Sequence, residues 1–489
     1  MSELDADLIS MQEARTLALA AKAAQAQWAR ATQEEVDRVC AAMAEAGAAA
    51  AASLAAQAVE ETGYGVMEHK TLKNQLCSSI LWDSIRDIRT VGVIDRDEAR
   101  RLFHVALPMG VVAALIPSTN PTSTAFFKSM IAVKARDAIV ISPHPAAARC
   151  THAAAAVMAE AAERAGAPRG LISCMTQCSL PGTNELIRHP AVALILATGG
   201  TPMVRAAHSV GKPAYGVGPG NVPCYIDRSA DLAQAAHYLV ASKAFDFSVI
   251  CATEQAAIVD RPVAAAFAQC MAAEGAHFVS EAEADLLRRT LFRPDGGMNA
   301  ATVGKSPQVL ARMAGFTAPD SARILVARLR EVGPSEPLSR EKLTTVLGWY
   351  EADGWQEGCT VCMNLINFGG EGHSLALHAR DEDVVMAFAL EKPVHRIVVN
   401  TMASLGGTGC TTGMSPSMTL GPGGVGGAIT GDNIGVKHLF TVKTLAYELR
   451  PAPPAAMAPG GRSAAPARPA APPDLIERIV QRVLADLRV

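Results

Sequence analysis

Cys251 lies in Phe245-Asp246-Phe247-Ser248-Val249-Ile250-Cys251-Ala252-Thr253-Glu254-Gln255, between small and β-branched residues and just ahead of another apolar run. A free thiol is roughly a few per cent ionised near neutral pH and is intrinsically very nucleophilic, so a cysteine in such a segment can attack an aldehyde carbon directly. The plainer reading is an inert core cysteine, because free cysteine is among the most buried residue types. A second candidate is Asn120 in Ile116-Pro117-Ser118-Thr119-Asn120-Pro121-Thr122-Ser123, which follows a strand-like run and precedes a helical one. Its amide at a strand end could donate to the oxyanion that forms when a nucleophile adds to a carbonyl; alone, the segment reads as a turn and helix cap. Two other signals are discounted. Cys174 with Cys178 and Cys359 with Cys362 have zinc-like spacing but no neighbouring histidines or second well-spaced pair, so no metal is expected. The glycine-rich stretch 421–435 contains no Gly-Lys-Ser/Thr element of a phosphate-cradling loop.

The elements that would position these residues follow from patterning. The chain has 489 residues, 49% of them hydrophobic and 19% charged, which suits a globular protein of two or three domains. A net charge of -3 argues against nucleic acid as the main partner. Eleven scattered cysteines, an odd number, read as reduced thiols of a cytosolic protein. The acidic start lacks the basic and apolar regions of a signal peptide. The uncharged run 46–59 falls short of the roughly 20 apolar residues of a membrane span and is expected to be an ordinary helix. Residues from about 6 to 90 read as several helices. From about residue 110, apolar runs at 111–116, 138–141, 171–173 and 192–196 alternate with helix-length segments. That alternation predicts βαβ units and a parallel sheet that binds a dinucleotide at the carboxyl ends of its strands. Residues 451–473 are rich in proline and alanine and read as a linker. Beyond them Asp474 and Glu477 form a plausible capping box, and Leu475, Ile476, Ile479, Val480, Val483, Leu484 and Leu487 share one helical stripe.

Taken in order, several motifs resemble the aldehyde dehydrogenase superfamily, and within it the coenzyme A-acylating branch that includes acetaldehyde and propionaldehyde dehydrogenases. They are the Asn120 segment, Ser142-Pro143-His144-Pro145, Ala197-Thr198-Gly199-Gly200, Gly216-Val217-Gly218-Pro219-Gly220-Asn221, the Cys251 segment, Glu341-Lys342-Leu343 and Glu371-Gly372-His373-Ser374. The resemblance spans about residues 5 to 450. It implies an α/β fold with a Rossmann-type nucleotide-binding domain, an α/β catalytic domain and a small oligomerisation extension. The expected limits are 1–228 for the N-terminal helices and NAD/coenzyme A domain, 229–415 for the catalytic domain and 416–450 for a return segment and oligomerisation strand. The linker 451–473 and helix 474–489 follow.

The same resemblance implies roles. Cys251 is the nucleophile, and Asn120 with the Cys251 amide holds the oxyanion. Ser142, Pro143 and His144 line the adenosine end of NAD, Thr198, Gly199, Gly200, Val217 and Gly218 approach the dinucleotide, and Glu341 meets the nicotinamide ribose. His373 is the candidate acceptor of the coenzyme A proton. Hydrolytic relatives carry a water-activating glutamate where this chain has Gly216. Water, with a pKa of about 15.7, needs such a base far more than a thiol near ~8.5, so coenzyme A can release the acyl group without it. A hydrolytic enzyme and a non-enzymatic scaffold are the alternatives. Many acylating relatives have Asn-Gly-Thr before Ile-Cys where this chain has Phe247-Ser248-Val249; Phe247 either reshapes the aldehyde pocket or packs inward. The terminal helix is similar to encapsulation peptides of bacterial microcompartments. The resemblance thus implies a short aldehyde substrate, a homo-oligomer, shell or lumen proteins as partners, and a bacterial cytoplasmic location inside a compartment lumen. A membrane-surface role is disfavoured because the helix's polar face mixes acidic and basic residues.

Overall fold

The computed structural model describes residues 5–452. The linker and terminal helix expected at 451–489 therefore lie almost wholly outside the described residues. The N-terminal part is helical, as its composition predicts. Helix Ala6–Trp28 is capped by Asp5, whose carboxylate accepts from the Asp7 amide, and it turns Ala14, Ala18 and Ala21 inward. Helix Gln33–Ala49 opens with a Thr32/Glu35 capping box, and Ala51–Thr62 stops at Gly63, which takes the left-handed conformation a Cβ disfavours. The apolar run at 46–59 is divided between these two helices, which meet at 59°. The first packs on helix Ala148–Arg164 and the second on Met67–Gln75, so the run serves two neighbours rather than one continuous helix. Among the described residues no single helix is long and apolar enough to cross a membrane.

Three sheets follow. Strands β1 (Val93–Asp97) and β2 (Leu102–Pro108) form an antiparallel pair. Strands β3 (Val111–Ile116), β4 (Ala138–Pro143), β5 (Ile172–Cys174), β6 (Val192–Thr198) and β7 (Ala214–Val217) make a parallel sheet in the order β5-β4-β3-β6-β7. The expected strands are all present here, and β3 and β4 are buried along their whole length, as doubly covered parallel strands are. The chain turns from β3 to β4 on one side and reaches β6 on the other, which opens a crevice at the carboxyl ends of β3 and β6.

Strands β8 (Val222–Ile226), β9 (Glu254–Asp260), β10 (Ala276–Phe278), β11 (Ile324–Arg328), β12 (Val346–Ala352), β13 (Leu375–His378) and β14 (Ile397–Val399) form a second parallel sheet, ordered β10-β11-β12-β9-β8-β13-β14. The change of sheet thus falls in the four residues between β7 and β8, ahead of the expected limit at 228. Finally β15 (Phe440–Ala446) pairs antiparallel with β2 over its full length. The extension expected from 416–450 alone is therefore shared with residues 93–108, a pairing between distant parts of the chain. Met418, Ile434, Val436 and Leu439 of the return segment join the core of the five-stranded sheet.

Candidate active site

Cys251, Glu341, His373 and Arg396 all stand on connections that enter parallel strands of the seven-stranded sheet, just ahead of β9, β12, β13 and β14. The amino-terminal edge of that sheet faces the carboxyl-terminal edge of the five-stranded one across a cavity of about 240 Å³. Residues 117–120 after β3, Thr198 at the end of β6 with Gly199 and Gly200 after it, and Val217 at the end of β7 with Gly218 after it form one wall. Val249, Ile250, Cys251 and Glu341 form the other, and Met418 and Leu420 of the return segment close the side.

The nucleophile candidate follows three consecutive non-glycine residues with positive φ: Asp246 (48°), Phe247 (49°) and Ser248 (66°). Each costs on the order of 1–2 kcal/mol in that region, so the surroundings must hold them. Lys243 Nζ donates to Ser248 Oγ at 3.0 Å. The Asp246 amide donates to His69 Nδ1 at 2.9 Å, and the His69 ring stacks on Phe245 with centroids 4.5 Å apart. Phe247 is half-buried and does not line the cavity; Val249 is the side chain of the variant triplet that does.

Asn120 occupies the N-cap position of helix Pro121–Lys134, yet its side chain makes no capping bond. Its Nδ2 donates instead to the Val249 carbonyl at 2.9 Å and to Thr119 Oγ1 at 3.2 Å, and its Oδ1 accepts from the Lys73 ammonium. The turn-and-cap reading is thus incomplete: the backbone caps a helix start while the amide reaches across to the Cys251 loop.

The electrostatics differ from those expected for an exposed thiol. Burial pushes the Cys251 thiol up to about 12, and Glu341 adds to that shift, while Arg396 and the amides of Cys251 and Ala252 pull the other way. Cys251 is half-buried on the cavity wall, and its desolvation favours the neutral thiol in the free protein. Burial also raises the Glu341 carboxyl to about 7 against the pull of the Gly220 amide, which donates to Glu341 Oε1 at 2.9 Å. Arg396 is almost fully buried and donates to the Gly421 and Gly431 carbonyls, which ties the glycine-rich return loop to β14.

The structure brings Cys251, Asn120, His144, Thr198, Gly199, Gly200, Val217, Gly218 and Glu341 onto one cavity. Three expected residues stand apart. Ser142 and Pro143 end β4 inside the core, and Ser142 Oγ is 2.8 Å from Thr183 Oγ1. His373 is 1% exposed and absent from the cavity wall; its Nδ1 meets Ser374 Oγ at 3.0 Å and its Nε2 has no partner among the described residues. Burial, with Arg396 nearby, lowers its pKa to about 3. Gly220 lies between it and Cys251: a Cβ there would collide with the Cys251 carbonyl and sit 3.1 Å from His373 Nδ1. The imidazole is neutral, the form a proton acceptor needs, and its burial makes it a weak base in the free protein. Lys73, Asp246, Lys243 and Arg396 went unnoticed in the sequence, since nothing in a lysine's or arginine's local pattern signals that it is buried. Among the described residues no group of three or more His, Cys, Asp or Glu is placed to hold a metal ion.

The nucleotide edge fits a dinucleotide. Gly200 caps helix Thr201–His208 without a side-chain bond; Pro202 has no amide hydrogen and the Met203 amide donates to the Gly200 carbonyl at 3.0 Å, so the Thr201 amide is the one of the first three positions left open to a phosphate oxygen. A Cβ at Gly218 would meet nothing within 4 Å, so bare backbone faces open space there.

Comparison with known proteins agrees with this geometry. The family model described as the aldehyde dehydrogenase family matches residues 5–285. The chain belongs to the aldehyde dehydrogenase family. Among solved aldehyde dehydrogenase structures, an acetylating aldehyde dehydrogenase from Geobacillus thermoglucosidasius is 49% identical, with a TM-score of 0.91 over 92% of this chain and 99% of that one. A propionaldehyde dehydrogenase from the Clostridium phytofermentans fucose utilisation bacterial microcompartment is 25% identical, with a TM-score of 0.80 over 88% of this chain and 96% of that one. Aldehyde-alcohol dehydrogenase 2 of Entamoeba histolytica is 41% identical over 424 residues, covering 85% of this chain and 49% of that protein. This aldehyde dehydrogenase chain spans about half the length of the first curated relatives it matches.

Proposed function

We propose that this chain is an NAD-dependent, coenzyme A-acylating aldehyde dehydrogenase for short aldehydes such as acetaldehyde or propionaldehyde. The observation that carries the reading is the pairing of Cys251 and Asn120 on one cavity with a glycine, and so no water-activating carboxylate, at position 216. A Cβ on Gly216 would lie 2.5 Å from His208 Nε2 and 2.6 Å from Val204 Cγ1. The acetylating relatives support the same reading.

The cycle starts when the Cys251 thiol releases its proton to solvent and the thiolate sulfur bonds to the aldehyde carbon while the carbonyl π pair moves to oxygen. Asn120 Nδ2 and the Cys251 amide donate to that oxyanion, which takes the place of Thr119 Oγ1 as acceptor of the second Asn120 N–H. Bound NAD supplies the acceptor for the hydride that leaves this carbon. The carbonyl re-forms as a thioester on Cys251. The thiolate of coenzyme A then attacks the thioester, the carbon–Cys251 bond breaks, and the enzyme thiolate is regenerated. Gly199, Gly200 and Gly218 would give both nucleotides close backbone approach in turn, Thr198 and Val217 would shape that wall, and Glu341 would meet the nicotinamide ribose. Of the adenosine-end candidates, His144 supplies contact, while Ser142 and Pro143 support it from within. His373, neutral and packed against Gly220 beside the Cys251 loop, is the candidate acceptor of the coenzyme A proton.

Multiple-turnover formation of NADH that needs both aldehyde and coenzyme A, and disappears in Cys251→Ala, supports this function. Acid formed at an undiminished rate without coenzyme A contradicts it.

The amphipathic stripe at 474–489, and the compartment origin of one structural relative, support a further reading: residues 474–489 load the enzyme into a bacterial microcompartment through shell or lumen proteins. Fusion of those residues to a fluorescent protein is expected to direct it into compartments in a shell-producing host; diffuse fluorescence there contradicts it. The exposed β15 edge supports homo-oligomerisation.

A further inference from the structure

Helix Met67–Gln75 carries two lysines one turn apart, Lys70 and Lys73, whose side chains are 2% exposed, and both meet the fully buried Asp246 carboxylate. Lys70 Nζ lies 3.0 Å from Asp246 Oδ2 and donates at 3.0 Å to the Thr119 carbonyl. Lys73 Nζ donates to both Asp246 Oδ2 and Asn120 Oδ1. Asp246 Oδ1 accepts from the Val66 amide at 2.7 Å. The approach is close enough that Gly65, at φ +78°, has no space for a Cβ against that carboxylate. Burial alone would raise the Asp246 carboxyl, but Lys73 and Lys70 outweigh it and hold the group below the usual range. Two cations and one anion are therefore sealed between the Asn120 turn and the strained residues before Cys251.

An ammonium has donors only, and an asparagine amide presents an acceptor on one side and donors on the other. With its oxygen against Lys73, the Asn120 amide cannot flip without setting its NH₂ against an ammonium. We propose that Lys73 is a positioning residue that locks the Asn120 amide with its nitrogen toward Cys251, and that Asp246 couples this lock to the left-handed segment carrying the nucleophile. Donation from an ammonium to Oδ1 also polarises the amide, which strengthens the bonds its nitrogen makes. The proposal rests on the reading of Asn120 as oxyanion donor.

The test is a double-mutant cycle on the full chain, read as the single-turnover rate of NADH formation from aldehyde and NAD without coenzyme A. Asn120→Ala is expected to lower that rate about 10²-fold or more, and Lys73→Met at least about tenfold with NAD affinity unchanged. Because Lys73 acts through Asn120, adding Lys73→Met to Asn120→Ala is expected to change the rate less than about twofold. Lys73→Gln keeps a polar group beside Asp246 and gives the same two readings if the methionine variant does not fold. A wild-type rate in a Lys73 variant, or a loss that multiplies with that of Asn120→Ala, overturns the proposal. An unchanged rate in Asn120→Ala overturns instead the reading of the site on which it stands.

Discussion

The pH dependence of Cys251 alkylation follows from its burial and can be worked through. With the thiol pushed up to about 12, roughly 1 molecule in 10⁴ to 10⁵ is thiolate at pH 7.5, against about one in ten for a free cysteine near ~8.5. That is a deficit of more than three decades in the reactive form. Nucleophilicity rises with basicity at a Brønsted slope of about 0.4–0.5, which returns about one and a half decades. The net expectation is alkylation by iodoacetamide about 10²-fold slower than a free thiol at pH 7.5. The sign is fixed by the direction of the shift: a raised thiol pKa leaves the neutral form dominant throughout, so the rate climbs about tenfold per pH unit from 6 to 10 without a plateau. Peptide mass spectrometry distinguishes Cys251 from the other ten cysteines. A plateau with a midpoint at or below about 8.5 would refute the reasoning, because the resting site would then be stabilising the thiolate.

Glu341→Gln removes the charge that adds to the Cys251 shift, so alkylation at pH 7.5 is expected to quicken severalfold while the KM for NAD rises; slower alkylation contradicts the electrostatics. Gly216→Glu must displace His208 and Val204 and is expected to lower stability by about 1–3 kcal/mol in denaturant melts without creating coenzyme A-independent hydrolysis. Gly65→Ala places a Cβ against Asp246 at a positive φ and is expected to lower stability by at least about 1–2 kcal/mol; an unchanged melt would mean that the contact relaxes freely.

Apolar runs such as 111–116 and 192–196 revealed the nucleotide sheet because a doubly covered parallel strand must be apolar on both faces. The motifs around Asn120, Gly199 and Cys251 located the cavity because turns between strands and helices bear distinctive residues. The change of sheet ahead of Val222 was not legible because Val222–Ile226 reads as a buried strand without saying which sheet receives it. The pairing of β15 with β2 was invisible for a related reason: more than 330 residues separate Thr441 from Leu107, and both strands are mostly half-buried or exposed. Titration was the least legible property. Cys251, His373 and Lys73 have ordinary neighbours in sequence, and their shifts arise from desolvation by elements far along the chain.

The acyl-enzyme is the species on which the account turns. Incubation with propionaldehyde and NAD in the absence of coenzyme A, followed by digestion and mass spectrometry, is expected to show a propionyl group on Cys251 that coenzyme A then removes as propionyl-CoA. An unmodified Cys251 peptide during NADH formation, or discharge as free acid at a rate indifferent to coenzyme A, would contradict it.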